Sequence, residues 1–189
     1  MSNVIDSLQQ DHRNLSQLLD LLEIQVDHFA AGEYTDFQII TDIMHYFMNY
    51  PDVYHHPHED LVFAALKSKN VNVADQIDEI STEHQNMAKD SAAIYDMMKH
   101  IQGNAIYSRE EIVTRLRDYI ARYRSHINTE EGELFALAES ILEDVDWQKI
   151  DAEMIDTDDP LFGKIQNQEY QDLYKIILSE IKDPGVRSE

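Results

Sequence analysis

The sequence contains no cysteine, and this absence excludes a whole group of chemistries. Disulfide bonds, iron–sulfur clusters, thiolate zinc sites and cysteine nucleophiles all require a thiol, so none of them can be built from this chain. Any metal site must therefore take its ligands from histidine, aspartate and glutamate.

Positive charge is also scarce. The 189 residues include 37 acidic and 15 basic side chains, which gives a formal net charge of −22 at pH 7. The electrostatic field of this negative charge repels phosphate backbones and anionic membrane surfaces, and it attracts cations. We therefore expect neither nucleic acid nor a membrane as a partner. The acid excess alone is typical of a solvated surface and does not establish metal binding.

The chain lacks any run of about 18 or more apolar residues, which is the length that a transmembrane helix requires. Its first residues, MSNVIDSLQQDHRN, contain neither the basic segment nor the apolar segment of a secretory signal. The sequence therefore predicts a cytoplasmic location.

Glycine (5 residues) and proline (4 residues) are rare, and no long stretch alternates between apolar and polar residues as a strand does. Instead, apolar residues recur with steps of three and four in four long segments. These segments span residues 5–29, 37–66, 73–101 and 112–141. Because the connections between them are short, we predict an all-α fold, an antiparallel up-down-up-down four-helix bundle with an additional C-terminal helix.

Several residues mark where these helices begin, end or bend. Gly32 is a typical C-terminal stop, and Ser108 with Glu111 has the spacing of a capping box. Pro51 and Pro57 should kink or interrupt the second helix, since each removes a backbone donor.

The chain is expected to divide into residues 1–145, a four-helix bundle, and residues 146–189, a helical extension. Asp159 and Pro160 have the pattern of a helix cap and first turn, so the extra helix should begin there. This helix offers a surface for a homodimer.

Six polar residues lie on the inward stripes of the four segments. Two of the segments carry a histidine followed four residues later by a glutamate, a spacing that places both side chains on one helical face. Each of the other two segments carries one inward histidine. The six candidate metal ligands are His12, His55, Glu59, His84, His126 and Glu130.

The free-energy cost of burying ionised carboxylates favours a bound metal over packing of these six side chains without one. An ionised carboxylate in a protein core costs several kcal/mol unless it is paired or coordinated, and no lysine or arginine lies beside these glutamates on the stripes. A single inward histidine is more often a hydrogen-bonded core residue, so the prediction depends on all six occurring together. Imidazole and carboxylate ligands suit iron or manganese, with zinc as a further alternative, and carboxylates that reach two metals suit a dinuclear centre.

Other polar residues near the six have secondary roles. His56 and His58 flank the bend at Pro57 and are expected to face solvent or to lie behind the ligands. Glu131 or Asp60 is a candidate to orient a liganding imidazole. Tyr123 either packs or forms a hydrogen bond inside the site.

Four stretches carry a resemblance to a known family: DHRNL, YHHPHEDLVF, EHQNM and RSHINTEEGELFALA. In these the sequence resembles the hemerythrin-like HHE cation-binding proteins, which are four-helix bundles that hold a non-heme di-iron centre. The resemblance implies two iron ions bound by the six residues, with Pro57 shaping the helix at the site.

This chain also departs from the oxygen-carrying members of the family at two positions. Oxygen-carrying hemerythrins have a second histidine one turn after the ligand on the third helix, where this chain has Ala88, and a longer His-to-Asp spacing where it has Glu130. The ligand set is more similar to the di-iron domain of the repair-of-iron-centres proteins, although their cysteine-containing N-terminal domain is absent from this chain.

Three functional hypotheses remain open from the sequence. The first is a non-heme di-iron protein that binds or senses oxygen or nitric oxide, or handles iron under oxidative or nitrosative stress. The second is a di-iron enzyme that reduces nitric oxide or peroxide. The third is an interaction module in which the metal only fastens the helices together.

Overall fold

The computed structural model describes residues 3–69, 72–155, 157–164 and 167–182, and every regular element within these ranges is helical. The predicted all-α class is therefore confirmed. None of the described helices has the length and apolar character needed to span a membrane. The α-helices are α1 (Asn3–Ala31), α2 (Phe37–Asn49), α3 (His56–Ser68), α4 (Ala74–Gln102), α5 (Arg109–Thr129), α6 (Phe135–Ile141), α7 (Asp144–Glu153) and α8 (Gln171–Lys182).

The predicted helix boundaries at Gly32 and Ser108 are confirmed. Helix α1 ends because Gly32 adopts a φ of +82°, which L side chains rarely tolerate, and the N–H of Glu33 then donates to the carbonyl of His28 at 2.9 Å. At the start of α5, the hydroxyl of Ser108 accepts a hydrogen bond from the N–H of Glu111 at 3.1 Å.

A π-helical turn, Pro51–His55, separates α2 from α3. The N–H of His56 donates to the carbonyl of Pro51, five residues earlier, so this turn is wider than an α-helical one. The predicted interruption at Pro51 is confirmed. Pro57 lies in the first turn of α3, directly after the π turn, and has no N–H to donate to a carbonyl of that turn.

A second π-helical turn, Glu130–Leu134, separates α5 from α6, and the sequence analysis did not predict it. The N–H of Phe135 donates to the carbonyl of Glu130. His55 is the last residue of the first π turn, and Glu130 is the first residue of the second. Single π turns of this kind occur frequently at functional sites, and here both coincide with candidate ligands.

Two apolar clusters form the core. Along the helices, a layer of polar side chains lies between the two clusters. In the larger cluster, α1 packs against α5 and α2 packs against α4. The smaller cluster contains Leu8, Phe63 and Phe135 among its fully buried side chains. Along α1, His12 separates residues of the smaller cluster from those of the larger one, and His84 does the same along α4. The fold therefore places these histidines at the junction of two apolar regions.

The extension differs from the prediction in two respects: it contains α7 in addition to the single helix predicted, and the predicted helix start is not observed. Residues 157–164 form no helix, so the expected helix start at Asp159 was wrong. The Asp159 carboxylate instead accepts hydrogen bonds from the N–H groups of Leu161 and Phe162 and from the hydroxyl of Tyr46 at 2.9 Å, which closes a turn against α2. A 3₁₀ turn, Gln168–Tyr170, leads into α8, which packs on α1 and α2. Residues 183–189 of the predicted extension lie outside the described residues.

Candidate metal centre

All six predicted ligand residues converge in one buried layer. The two glutamates are 0 % exposed, and the four histidines are between 1 % and 5 % exposed. They come from every long helical segment: α1 supplies one histidine, α4 another, and the two interrupted segments each supply a histidine and a glutamate. The layer consists of His12, His55, Glu59, His84, His126 and Glu130.

Within the layer, the Nε2 atom of each imidazole faces the carboxylates of Glu59 and Glu130. Nε2 of His12 lies 3.0 Å from Oε1 of Glu59 and 3.4 Å from Oε2 of Glu130. Nε2 of His84 also lies between the two, 3.2 Å from Oε1 of Glu130 and 3.5 Å from Oε2 of Glu59. His55 approaches Glu59 at 3.3 Å, and His126 approaches Glu130 at 3.2 Å. Each carboxylate therefore contacts three of the four imidazoles.

The Nδ1 atoms of the same imidazoles face outward, and each contacts a different carboxylate. Sequence analysis named two of these partners correctly, Glu131 and Asp60, and missed Asp11 and Glu83. The sequence does contain a feature that could have identified all four partners, because each of the four acids is the immediate chain neighbour of a layer residue. The pairs are His12–Glu131 at 3.0 Å, His55–Asp11 at 3.1 Å, His84–Asp60 at 3.1 Å and His126–Glu83 at 2.9 Å.

This arrangement constrains the protonation of the layer. An Nδ1–H that donates to a carboxylate leaves Nε2 of a neutral imidazole as an acceptor, and carboxylate oxygens are acceptors as well. Acceptors would then face one another in a buried region, so a cation must lie between them. That cation can be a proton or a metal ion.

In the metal-free protein, protons fill this role. Burial alone would lower the pKa of the His12 imidazole, but the carboxylates of Glu130 and Glu59 outweigh burial and raise that pKa to about 9. The same competition, with Asp11 contributing, raises the pKa of His55 to about 10. Burial and the neighbouring Glu59 would raise the pKa of Glu130, yet the facing imidazoles hold it at about 2. The layer is thus ionised, with negative carboxylates and positive imidazoles.

Protons do not satisfy every atom of the layer. Oε2 of Glu59, Oε2 of Glu130 and Nε2 of His126 are buried and make no hydrogen bond. The ion-pair partners of both glutamates within the described residues are histidines alone. Each buried polar atom without a partner costs on the order of 1–3 kcal/mol. These three atoms are all metal-ligand types, so the layer fits a bound cation.

Ligand atoms of five of the six layer residues, together with one from His56, cluster as two overlapping groups, each with its atoms within 4.8 Å of one another; Glu130 belongs to neither group. One group contains His12, His55 and Glu59. The other contains His56, Glu59, His84 and His126. Glu59 belongs to both groups, and its two carboxylate oxygens give it the means to serve both. Imidazole and carboxylate ligands without thiolate suit iron or manganese.

His56 was predicted either to face solvent or to lie behind the ligands, and the structure excludes the first of these positions. Its side chain is 3 % exposed, and its ring stacks on that of His84 with 4.4 Å between the centroids. Nε2 of His56 lies 3.1 Å from the hydroxyl of Tyr123, so Tyr123 forms the hydrogen bond that was one of its two alternatives. His58 is half-buried, and its Nε2 accepts a hydrogen bond from the N–H of Ile155 at 3.1 Å.

Comparison with known proteins agrees with the geometry. A sequence model of the hemerythrin HHE cation-binding domain matches residues 3–138, a span that includes all six layer residues. Neither the curated proteins nor the solved structures give a significant match. Because the matched span covers most of the chain, the protein belongs to the hemerythrin HHE cation-binding domain family.

Proposed function

We propose that this chain is a non-heme di-iron protein in which the six layer residues hold two iron ions, with manganese and zinc as alternative metals. His12 and His55 would serve one ion, His84 and His126 the other, and Glu59 and Glu130 would reach both. Membership of the cation-binding family supports the presence of a metal ion in this layer. The number of ions and their identity are proposed here.

The observation that carries the proposal is a pair of buried carboxylate oxygens that make no hydrogen bond, Oε2 of Glu59 and Oε2 of Glu130. Each carboxylate contacts imidazoles from both sides of the layer, and each of these Oε2 atoms lies 3.4–3.5 Å from one imidazole without a hydrogen bond. Two cations would satisfy these oxygens and would compensate the burial of two negative charges. A single cation would leave half of the converging imidazoles unused.

The same proposal includes the architecture. Residues 1–145 would form an antiparallel up-down-up-down four-helix bundle, and residues 146–189 would form a helical extension. Support comes from the packing of α1 on α5, of α2 on α4, of α4 on α5 and of α1 on α2, which makes each long segment a neighbour of at least two others. The two π turns would keep the interrupted segments continuous enough to act as single bundle helices.

The proposed ligand is a small diatomic, oxygen or nitric oxide, and the role is binding, sensing or iron handling under oxidative or nitrosative stress. Six protein ligands do not saturate two iron ions, and iron supplies the open coordination positions and the redox chemistry that such molecules need. The protein contributes the two apolar clusters that flank the layer along the helices. A cleft of about 410 Å³, lined by Asp11, Tyr50 and His58 among others, approaches the layer from outside. Asp11 contacts His55, so the cleft ends one residue from a ligand.

The net charge and the packing of α8 limit the macromolecular partners that we propose. We propose no nucleic acid and no membrane, because a net charge of −22 repels both. A homodimer through the C-terminal helix would have to use the outward face of α8, since Leu173 and Ile177 already pack in the larger cluster.

The experiment begins with metal analysis of protein purified without added metal, followed by anaerobic loading with ferrous iron. We expect about two irons per chain, and new visible absorption bands on addition of oxygen or nitric oxide. His126→Ala should lower the iron content, whereas His58→Ala, which alters a half-buried histidine outside the layer, should not. Iron bound with a spectrum that neither gas changes would instead indicate a metal that only fastens the helices.

A further inference from the structure

His56 has the properties of a ligand, although it is not one of the six residues. It is separated from Glu59 by three positions on α3, and His55 is separated from Glu59 by four, so both imidazoles lie on the helical face of the same carboxylate. The π turn that ends at His55 allows two consecutive histidines to be buried together, 1 % and 3 % exposed. Burial of two adjacent side chains on a helix surface is otherwise unusual, because they point about 100° apart.

The surroundings of His56 repeat the pattern of the four layer histidines. Its Nδ1 atom lies 3.3 Å from Oδ1 of Asp52, a buried carboxylate oxygen that makes no hydrogen bond. Its Nε2 atom lies 3.1 Å from the hydroxyl of Tyr123 and has no ion-pair partner among the described residues. An imidazole with a carboxylate at Nδ1 and its Nε2 turned inward is the usual arrangement of a metal ligand.

The position of His56 relative to the second ligand group is close enough for coordination. One ring nitrogen of His56 lies within 4.8 Å of the ligand atoms of Glu59, His84 and His126. Its ring centroid is 5.9 Å from that of His126. Among the described residues, none plays the corresponding part in the group of His12 and His55, which contains two imidazoles.

We propose that His56 is a seventh ligand, and that it makes the two metal positions unequal. The position of His12 and His55 has two imidazoles, whereas the position of His84 and His126 has three. Tyr123 competes with the metal for Nε2 of His56, so this imidazole has an alternative partner within the site. The inference rests on the proposed function, because it requires a metal in the layer.

The decisive measurement uses the wild-type protein loaded with zinc and labelled with ¹⁵N in its histidines. Zinc is diamagnetic and has no redox chemistry, so imidazole nitrogen signals can be followed by NMR. We expect the Nε2 signals of five histidines to shift on zinc addition, with the fifth assigned by its absence in His56→Gln. Four shifted signals, with that of His56 unchanged, would overturn the inference and leave the proposed function intact. No shifted signal at all would contradict both.

Variants separate a ligand from a supporting residue. His56→Gln should weaken one of two zinc-binding steps by at least about tenfold in a chelator competition and leave the other step unchanged. Tyr123→Phe should retain or strengthen the same step, because it removes the competitor for Nε2. If His56 acts only through its contact with Tyr123, both variants should weaken zinc binding alike. His58→Ala is the matched control, two positions along the same helix, and should leave both steps unchanged.

Discussion

Nδ1 of His12 lies 3.0 Å from Oε1 of Glu131, although 119 positions separate the two residues in the chain. The same kind of contact links each of the other layer histidines to a carboxylate from a different helical segment. Because each of these acids is also the chain neighbour of a layer residue, the contacts cross between segments. They hold each Nε2 atom toward Glu59 and Glu130.

The contact between Glu131 and His12 can be tested without touching a proposed ligand. Loss of such an outer partner typically lowers metal affinity by about 10- to 100-fold, because the imidazole loses its fixed orientation and some of its basicity. We expect this loss for Glu131→Ala and a smaller one for Glu131→Gln, whose amide oxygen can still accept the Nδ1–H. Isothermal titration with zinc measures both. The control is Glu133→Ala, which changes an exposed residue that accepts a hydrogen bond from Gln76. Equal zinc affinities for Glu131→Ala and Glu133→Ala would show that the contact with His12 does not affect metal binding.

Glu59 and Glu130 should each be required for both metal ions. Each carboxylate contacts imidazoles of both proposed metal positions, so Glu59→Gln and Glu130→Gln should lower the metal content from about two ions per chain toward none, not toward one. Metal analysis after dialysis, with circular dichroism to check the helices, measures this. A variant that keeps one tightly bound ion would show that its glutamate serves a single position.

The sequence predicted the six layer residues because helical spacing places His and Glu on the same stripe, and helix spacing is a local property. It also predicted the ends of α1 and the start of α5, where a single residue decides the conformation. The π turn at Glu130 could not be predicted in the same way, since no proline marks it and its wider hydrogen bonding depends on the packed layer. Burial of His56 follows from the corresponding turn at Pro51.

The extension shows the opposite error, in which a local signal was overruled by a tertiary contact. Asp159 followed by Pro160 is a typical helix start, but the carboxylate lies 2.9 Å from the hydroxyl of Tyr46 on α2. That contact and the turn at Leu161 hold Asp159 against the bundle, and α8 begins at Gln171. Nothing in the sequence near Asp159 indicates Tyr46 as its partner.

Stability of the metal-free protein should fall as the pH rises above neutrality. The pKa of His12 is about 9 and that of His84 about 10, both above the ordinary value of 6.5, because facing carboxylates outweigh the effect of burial. A histidine with a raised pKa in the folded state contributes stability that is fully present below pH 6.5 and is lost as the pH rises through 9 to 10. Urea midpoints of the metal-free protein should therefore decrease between pH 7 and pH 10.

The metal-loaded protein should behave differently over the same range. Metal binding at pH 7 must displace the protons of the layer, so it should release protons into a weakly buffered solution, and affinity should increase with pH. The loaded protein should then keep its urea midpoint where the metal-free protein loses its own. Equal pH profiles for the two forms would contradict the protonated layer.

Two glycines provide a matched test of whether the second π turn needs a flexible residue. Gly132 lies inside the turn Glu130–Leu134, has no positive φ, and a Cβ added there would meet no heavy atom within 4 Å. Gly132→Ala should therefore increase the free energy of unfolding by roughly 0.5–1 kcal/mol, because alanine restricts the unfolded chain. At Gly32 the φ of +82° and a contact of 3.1 Å with Nη1 of Arg109 make alanine unfavourable, and Gly32→Ala should decrease that free energy by about 1 kcal/mol. Urea unfolding of the metal-free variants measures both. If Gly132→Ala is also destabilising, the turn that presents Glu130 requires backbone freedom that only glycine supplies.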